Sequence, residues 1–354
     1  AFSKVVGPVE TDDQFMRRLR LFRHRELSRI VWRDISGWAD CATTLEELSA
    51  LADVCIRVAV NRSKHDLTQR FGQPLDQDGA VADFIVVAMG KLGGQELNFS
   101  SDIDLVFLYS AAGKTDGSRS IANEEFFRRL AQHFINLVGK QTVDGFVYRV
   151  DTRLRPFGES GPLACSTAAF EDYLQQHGRD WERYAWVKAR IVNDWSGSKD
   201  FNARILRPFV YRRYLDYGVF SSLREMKMLI EREGRAATNR DNIKLGPGGI
   251  REIEFIVQTL QLVRGGSVKA LRQRQLLLAL QELRAEKLMT DVTVEKLTDT
   301  YLYLRALENR IQSIADRQTH NLPDDAVEQA RLCLAMGCQD WAELVAVTDS
   351  HRQV

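Results

Sequence analysis

The chain has 354 residues, with 49 Lys plus Arg against 48 Asp plus Glu. At 44% hydrophobic and 27% charged residues it has a soluble globular composition, long enough for two or three compact units whose cores need no disulfide staple. The near-zero balance argues against a general nucleic-acid binder while leaving room for a local basic pocket, and no apolar run approaches the ~18–20 residues of a membrane span. The start, Ala1-Phe2-Ser3-Lys4, has neither a Met nor the apolar core of a signal peptide, so the chain is read as trimmed or as a piece of a longer protein. Cysteines 41, 55, 165, 333 and 338 are odd in number and scattered, which predicts a reduced, cytoplasmic protein.

In chain order, helical spacing of Phe15, Leu19, Phe22, Leu27, Ile30 and Val31 predicts a helix over 12–32, with its many arginines on a solvated face. Thr44-Leu45-Glu46-Glu47 resembles a capping box and predicts a second helix from Thr44 toward Arg70. The pattern then turns to short β-branched runs. Phe84–Met89 reads as a buried strand, Ile103–Tyr109 as a second and Phe146–Leu154 as a third, with a helix over about 122–138 between the last two. Gly-Pro punctuation at 157–162 closes this region, and helices dominate afterwards, with Arg264-Gly265-Gly266-Ser267 as a linker into a last helical unit. The expected class is α+β, mostly helical, with a small mixed sheet. The expected units are a helical segment over 1–45, a catalytic domain over 46–264 and a helical bundle over 265–354.

The chemistry concentrates at MGKLGGQELNFSSDIDLVFLY, residues 89–109. Asp102 and Asp104 lie two residues apart at the mouth of an apolar strand, so they share a side, with α-carbons about 6.5–7 Å apart. Carboxylates that close repel unless a cation neutralises them, and hard oxygen ligands favour Mg²⁺ or Mn²⁺. An isolated Asp-x-Asp is a weak signal; the strand and Gly-rich turn around it strengthen it. In the third predicted strand one face reads Val147, Arg149, Asp151, Arg153, Arg155, an acid between arginines. Three acids from two strands with arginines beside them can hold one or two Mg²⁺ ions and stabilise an in-line phosphoryl or nucleotidyl displacement. For Asp151 a plain ion pair with a neighbouring Arg is an equal reading.

Two glycine motifs accompany the acids. Gly90-Lys91-Leu92-Gly93-Gly94 allows close backbone approach to a phosphate, or simply reverses the chain. Gly113-Lys114-Thr115 lacks the earlier glycine of a P-loop, so a P-loop ATPase is rejected. In NIKLGPGGIREIEFIVQTLQL, Gly248-Gly249 lead into a helix whose N-terminus can receive a phosphate, or form a plain loop. The six His show no zinc spacing, Cys333 and Cys338 lack a second pair, and Trp181, Tyr184 and Trp186 read as core.

GKLGGQELNFSSDIDLVF, YRVDTRLRPFGESGPL and NIKLGPGGIREIEFIVQ together resemble the bacterial bifunctional glutamine synthetase adenylyltransferase/adenylyl-removing enzymes, specifically their N-terminal, deadenylylating half. The resemblance spans nearly the whole chain and implies a polymerase-β-type nucleotidyltransferase core. It further implies phosphorolytic removal of AMP from a tyrosine of glutamine synthetase, with release of ADP. Asp102, Asp104 and Asp151 match the family's metal-binding acids. Gly93-Gly94 or Gly90 match its phosphate turn, although only seven residues separate Gly94 from Asp102, against eleven from Gly90. Lys91, Ser101, Arg153, Arg155, Gly248 and Gly249 are the further nucleotide- and phosphate-binding expectations, and Mg²⁺ the cofactor. The implied partners are glutamine synthetase, the uridylylated PII signal protein, the C-terminal adenylyltransferase half of the same polypeptide, phosphate and an adenine nucleotide. Forward adenylylation from ATP and a non-catalytic docking module are the rival readings.

Overall fold

The computed structural model describes residues 11–213, 217–236, 241–313 and 318–353. The reading of the N-terminal residues as a chain start therefore lies outside the described residues. Thr11 caps α1 (Asp12–Ile35) in a reciprocal box with Gln14, and Asp12 and Asp13 complement the helix dipole. Its arginines do not all face solvent. Arg20 is fully buried, donating to the carbonyls of Gly145 (2.7 Å), Leu137 (3.3 Å) and Lys140, the last turn and exit of a later helix. Those carbonyls have no helical partner, so a guanidinium fork satisfies them.

The second helix, α2 (Cys41–Phe71), starts earlier than the Thr44 box predicts. Asp40 caps it instead, accepting the Thr43 amide at 2.7 Å, while the Thr44 hydroxyl turns inward to Asp34 Oδ1 at 3.0 Å. The 45/46 boundary thus falls inside α2. Phe15, Met16, Leu19 and Ile30 of α1 belong to the same buried cluster as α2 and one face of the sheet.

A two-stranded ribbon pairs β1 (Pro74–Leu75) with β4 (Lys114–Thr115), and it contains the rejected Gly113-Lys114-Thr115 motif. The main sheet is built on β2 (Phe84–Ala88) and β3 (Ile103–Tyr109), antiparallel from Phe84 opposite Tyr109 to Ala88 opposite Leu105. Between them lies the one-turn α3 (Gly90–Gly93). β7 (Arg190–Ile191) extends the β2 side, while β5 (Val150–Asp151) and β6 (Ala164–Ser166) lie parallel to the beginning and end of β3. Both central strands are buried on both faces, which is why they read as continuous apolar runs rather than alternating ones. One face, with Phe84, Val86, Leu105 and Phe107, packs on α1, α2 and α4 (Asn123–Gly139). The other, with Ile85, Val87, Val106 and Leu108, packs beneath α5 (Thr167–Gln176), α6 (Asp180–Trp186), α7 (Ser198–Phe201), α8 (Arg207–Val210) and α9 (Tyr217–Gly234).

The third strand is far shorter than 146–154: only Val150 and Asp151 join the ladder. Asp151 Oδ1 accepts the Arg153 amide at 2.8 Å, and tight turns from Thr152 to Gly161 carry the chain away. The single face expected for 147–155 therefore does not form. A third buried cluster joins Ile243, α10 (Ile250–Arg264), α11 (Leu276–Ala285), α12 (Asp291–Ser313), α13 (Ala326–Met336) and α14 (Trp341–Arg352). α10 gives Ile250, Ile253 and Val257 to that cluster and Leu262 to the one beneath the sheet, and residues 264–267 follow it as a turn. All five cysteines are free thiols, and none of the described helices is long and apolar enough to cross a membrane.

Candidate active site

Asp104 is the second residue of β3, and the parallel register sets its α-carbon opposite that of Asp151. Asp102 lies just before the strand. The two outer acids have cationic partners: Arg149 Nε donates to Asp102 Oδ1 at 2.5 Å, and Arg153 Nε donates to Asp151 Oδ2 at 2.8 Å. Gln318 Nε2 adds a bond to Asp102 Oδ2 at 2.9 Å. The Asp104 carboxylate, by contrast, accepts no hydrogen bond among the described residues. Burial, then the charge of Asp151, pushes its pKa up to about 6, with Lys244 acting in the opposite direction. A half-buried carboxylate beside a like charge and without a donor is what a divalent cation would resolve. The three acids do not, however, close into a preformed cage. Among the described residues only Asp12, Asp66 and His133 bring one ligand atom each within 4.8 Å of the others. There Arg62 already neutralises Asp12 (3.3 Å) and Asp66 (2.7 Å). At the β3 site Asp104 and its register neighbour Asp151, with Asp102 beside them, are the residues that would hold an ion.

Of the first glycine motif, Gly90 is the residue at the acids. Its φ of +52° is open to glycine, and a Cβ there would stand 2.6 Å from Asp104 Oδ2. Gly93 and Gly94 serve packing instead: side chains there would strike the Lys188 and Ala88 carbonyls and the Glu96 carboxylate. Lys91 lines the cleft but is committed, donating to Glu308 Oε1 at 2.7 Å and Asn98 Oδ1 at 2.9 Å. Burial lowers its pKa to about 8, against the pull of Glu308. Ser101 also lines the cleft, its hydroxyl bonded to Asn98.

The second glycine motif meets the first across this cleft, which holds about 560 Å³. Lys244, Arg251 and Glu254 line it; Gly248 and Gly249 do not. A Cβ on Gly248 would run into the Arg352 backbone, and one on Gly249 would meet the carbonyls of Gly246, Ile243 and Lys244 at 2.7–2.8 Å. Both glycines are thus occupied by backbone packing. Arg153 lines the cleft, whereas Arg155 lies outside it and clamps its own loop, donating to Thr152 Oγ1 (2.8 Å), Thr152 O (2.9 Å) and Glu159 O (3.1 Å).

Sequence reasoning missed Lys188, Lys244, Gln318 and His320, and it read Tyr184 as core although it lines the cleft. Lys188 is buried between Glu96 (2.8 Å) and Glu254 (2.7 Å), which hold its pKa well above the usual lysine value despite burial. Likewise Lys91, Arg305 and His320 outweigh burial and hold Glu308 well below the usual carboxylate range. These pairs tie the strand domain to α10 and α12 beneath the cleft. Lys188 and Lys91 lie 66 to 217 residues from their partners, so no local spacing could announce them.

A small mixed sheet whose central strand opens on paired acids, packed among helices, defines a nucleotidyltransferase-like fold. Comparison with known proteins narrows the class. Residues 1–207 match the family model for glutamate–ammonia ligase adenylyltransferase, and residues 223–354 match that for GlnD PII-uridylyltransferase. Proteins named bifunctional glutamine synthetase adenylyltransferase/adenylyl-removing enzyme are similar throughout. Those of Shewanella woodyi and Shewanella loihica are each 48% identical over 341 residues, and that of Thioalkalivibrio sulfidiphilus is 46% identical over 352. They cover 96–99% of this chain, which itself spans about 36% of their length. The chain belongs to the glutamate–ammonia ligase adenylyltransferase family.

Proposed function

We propose that this chain removes AMP from an adenylylated tyrosine of glutamine synthetase by phosphorolysis, releasing ADP. The observation that carries the reading is the half-buried Asp104 carboxylate, which accepts no hydrogen bond among the described residues and lies opposite Asp151 in a cleft lined by cations. Asp104, Asp151 and Asp102 are the residues that would hold Mg²⁺. When bound there, the ion supplies charge neutralisation for the oxygens of the transferred phosphoryl group and for the departing phenolate. Gly90 leaves the space in which a phosphoryl oxygen can approach the acids. The ion pairs of Lys188 and Lys91 hold the floor of the cleft rigid, so that the acids need not reorganise. Tyrosine is a favourable leaving group, since a phenol ionises near pH ~10, well below an alcohol.

Similarity to the bifunctional enzymes supports glutamine synthetase as the protein substrate, and the match of 223–354 supports response to a PII signal protein in its uridylylated form. We place the reaction in the cytoplasm, alongside an adenylyltransferase half that completes the cycle. The test supplies adenylylated glutamine synthetase with inorganic phosphate and Mg²⁺, and in parallel unmodified glutamine synthetase with ATP. ADP formation in the first reaction and no AMP incorporation in the second is expected. The reverse outcome makes this a forward adenylyltransferase; turnover in neither leaves a docking module.

A further inference from the structure

The cations lining the cleft are not equivalent. Lys91 is bound to Glu308, Lys188 to Glu96 and Glu254, Arg153 to Asp151, and Arg251 to Glu233 at 2.6 Å. Lys244 differs. Among the described residues its ammonium donates no hydrogen bond and has no carboxylate within the 4.0 Å of an ion pair. Its backbone, however, is fixed. The Asn242 side chain accepts the amides of Lys244 (3.0 Å) and Leu245 (2.8 Å) and is itself anchored on Asn321 Oδ1 at 2.7 Å. The Ile243 amide donates to the His320 carbonyl at 2.9 Å, and the Lys244 carbonyl accepts from Arg251 at 3.1 Å. Gly249 lies so close to the Ile243 and Lys244 carbonyls that no side chain fits. The loop that holds Lys244 therefore presents to the cleft an ammonium without a partner among the described residues, on a backbone fixed by hydrogen bonds.

We infer that Lys244 receives the attacking inorganic phosphate. This deepens the phosphorolysis reading and rests on it. Arg155 is spent on its own loop, and Arg153 becomes free only once an ion displaces it from Asp151, whereas Lys244 needs no such release. An ammonium is a compact charge suited to a small dianion, and an unpaired one meets it without first breaking a salt bridge. In the step, an oxygen of phosphate attacks the AMP phosphorus and a new P–O–P bond forms. The bond from phosphorus to the tyrosine oxygen breaks, and its electron pair leaves on the phenolate, which then takes a proton from water. The Lys244 ammonium offsets the charge of the incoming dianion.

The test is steady-state phosphorolysis by the 354-residue chain, with phosphate and adenylylated glutamine synthetase varied separately. Lys244→Met is expected to raise KM for phosphate about 10- to 100-fold, the range for losing a charged hydrogen bond. KM for the protein substrate should stay unchanged. Lys244→Arg should recover part of the loss, and competitive inhibition by sulfate should weaken in the same proportion as phosphate binding. Gly249→Ala, which displaces the Lys244 carbonyl, should raise the phosphate KM in the same direction. An unchanged phosphate KM in Lys244→Met overturns the assignment, and so does a fall in kcat alone, which would place Lys244 on the bound AMP. If the parent chain itself forms no ADP, phosphorolysis fails and this assignment falls with it. A fully active parent with an indifferent Lys244→Met variant removes only the assignment.

Discussion

Replacing Asp104 by Asn separates what this acid does for the fold from what it does for the reaction. Its carboxyl is held at about 6 by burial and by Asp151, against an ordinary Asp value of 3.8. The folded state therefore prefers the protonated acid. The penalty is absent below pH 3.8, grows between 3.8 and about 6, and is complete above that. A difference of about two pH units corresponds to about 3 kcal/mol at pH 7.5 without metal. Spread over the unfolding entropy of a chain this long, that is about 4 °C in Tm. Asp104→Asn should accordingly melt up to about 4 °C higher than its parent at pH 7.5 in EDTA, and at the same temperature near pH 3.8 or below. Added Mg²⁺ should raise the parent's Tm and leave the variant's unchanged. ADP release from adenylylated glutamine synthetase should fall at least about 100-fold, since a carboxylate that engages the metal is lost. Differential scanning calorimetry with and without Mg²⁺ reads the first effect and a coupled ADP assay the second. A variant no more stable than its parent at pH 7.5 in EDTA, or one that turns over normally, would refute the reasoning.

Three further outcomes follow from the same geometry. Activity should decline as pH falls through about 6, because Asp104 gains a proton there, and higher Mg²⁺ should shift the decline to lower pH; a profile indifferent to Mg²⁺ would detach Asp104 from the metal. Gly90→Ala should fold with a loss of about 1 kcal/mol from its left-handed backbone yet lose at least about tenfold in kcat, as its methyl presses on Asp104 Oδ2; full activity would show that the turn is merely structural. Lys91→Met should destabilise by about 2 kcal/mol, less than the ~3–5 expected for orphaning a buried charge, because Arg305 (3.0 Å) and His320 (2.8 Å) remain on Glu308. Urea denaturation checks it, and an unchanged midpoint would mean that Lys91 contributes nothing to the floor of the cleft.

How much of this was legible depended on whether the signal was local. Ile103–Tyr109 forms a strand with the bounds that its apolar run announces, because a strand buried on both faces needs apolar residues at every position. The Asp-x-Asp at its mouth was visible for the same reason: it breaks that run. Asp151 was found through its sequence motif, and the parallel register with Asp104 brings the two acids together. The arginines around it were misread. Alternation from Val147 to Arg155 imitates a strand, but the Asp151 side chain caps a turn at Arg153 and ends the ladder after two residues. The second helix shows a similar competition, with Asp40 capping before Thr44 can. Gly248 and Gly249 pack closely on backbone, and a sequence carries no sign that distinguishes such packing from phosphate binding. Lys244 sits in the quoted glycine motif without a spacing that marks it, and Lys188, Gln318 and His320 carry no local pattern; only the meeting of distant segments makes them neighbours.

The central claim, that Asp104 and its neighbours hold a divalent ion at the start of β3, is tested most directly by anomalous diffraction from crystals grown with Mn²⁺ and ADP. The account predicts a peak about 2.1–2.2 Å from carboxylate oxygens of Asp104 and Asp151, with Arg153 drawn away from Asp151. A peak only at Asp12, Asp66 and His133, or an Asp104 that bonds to protein groups while nucleotide fills the cleft, would contradict it.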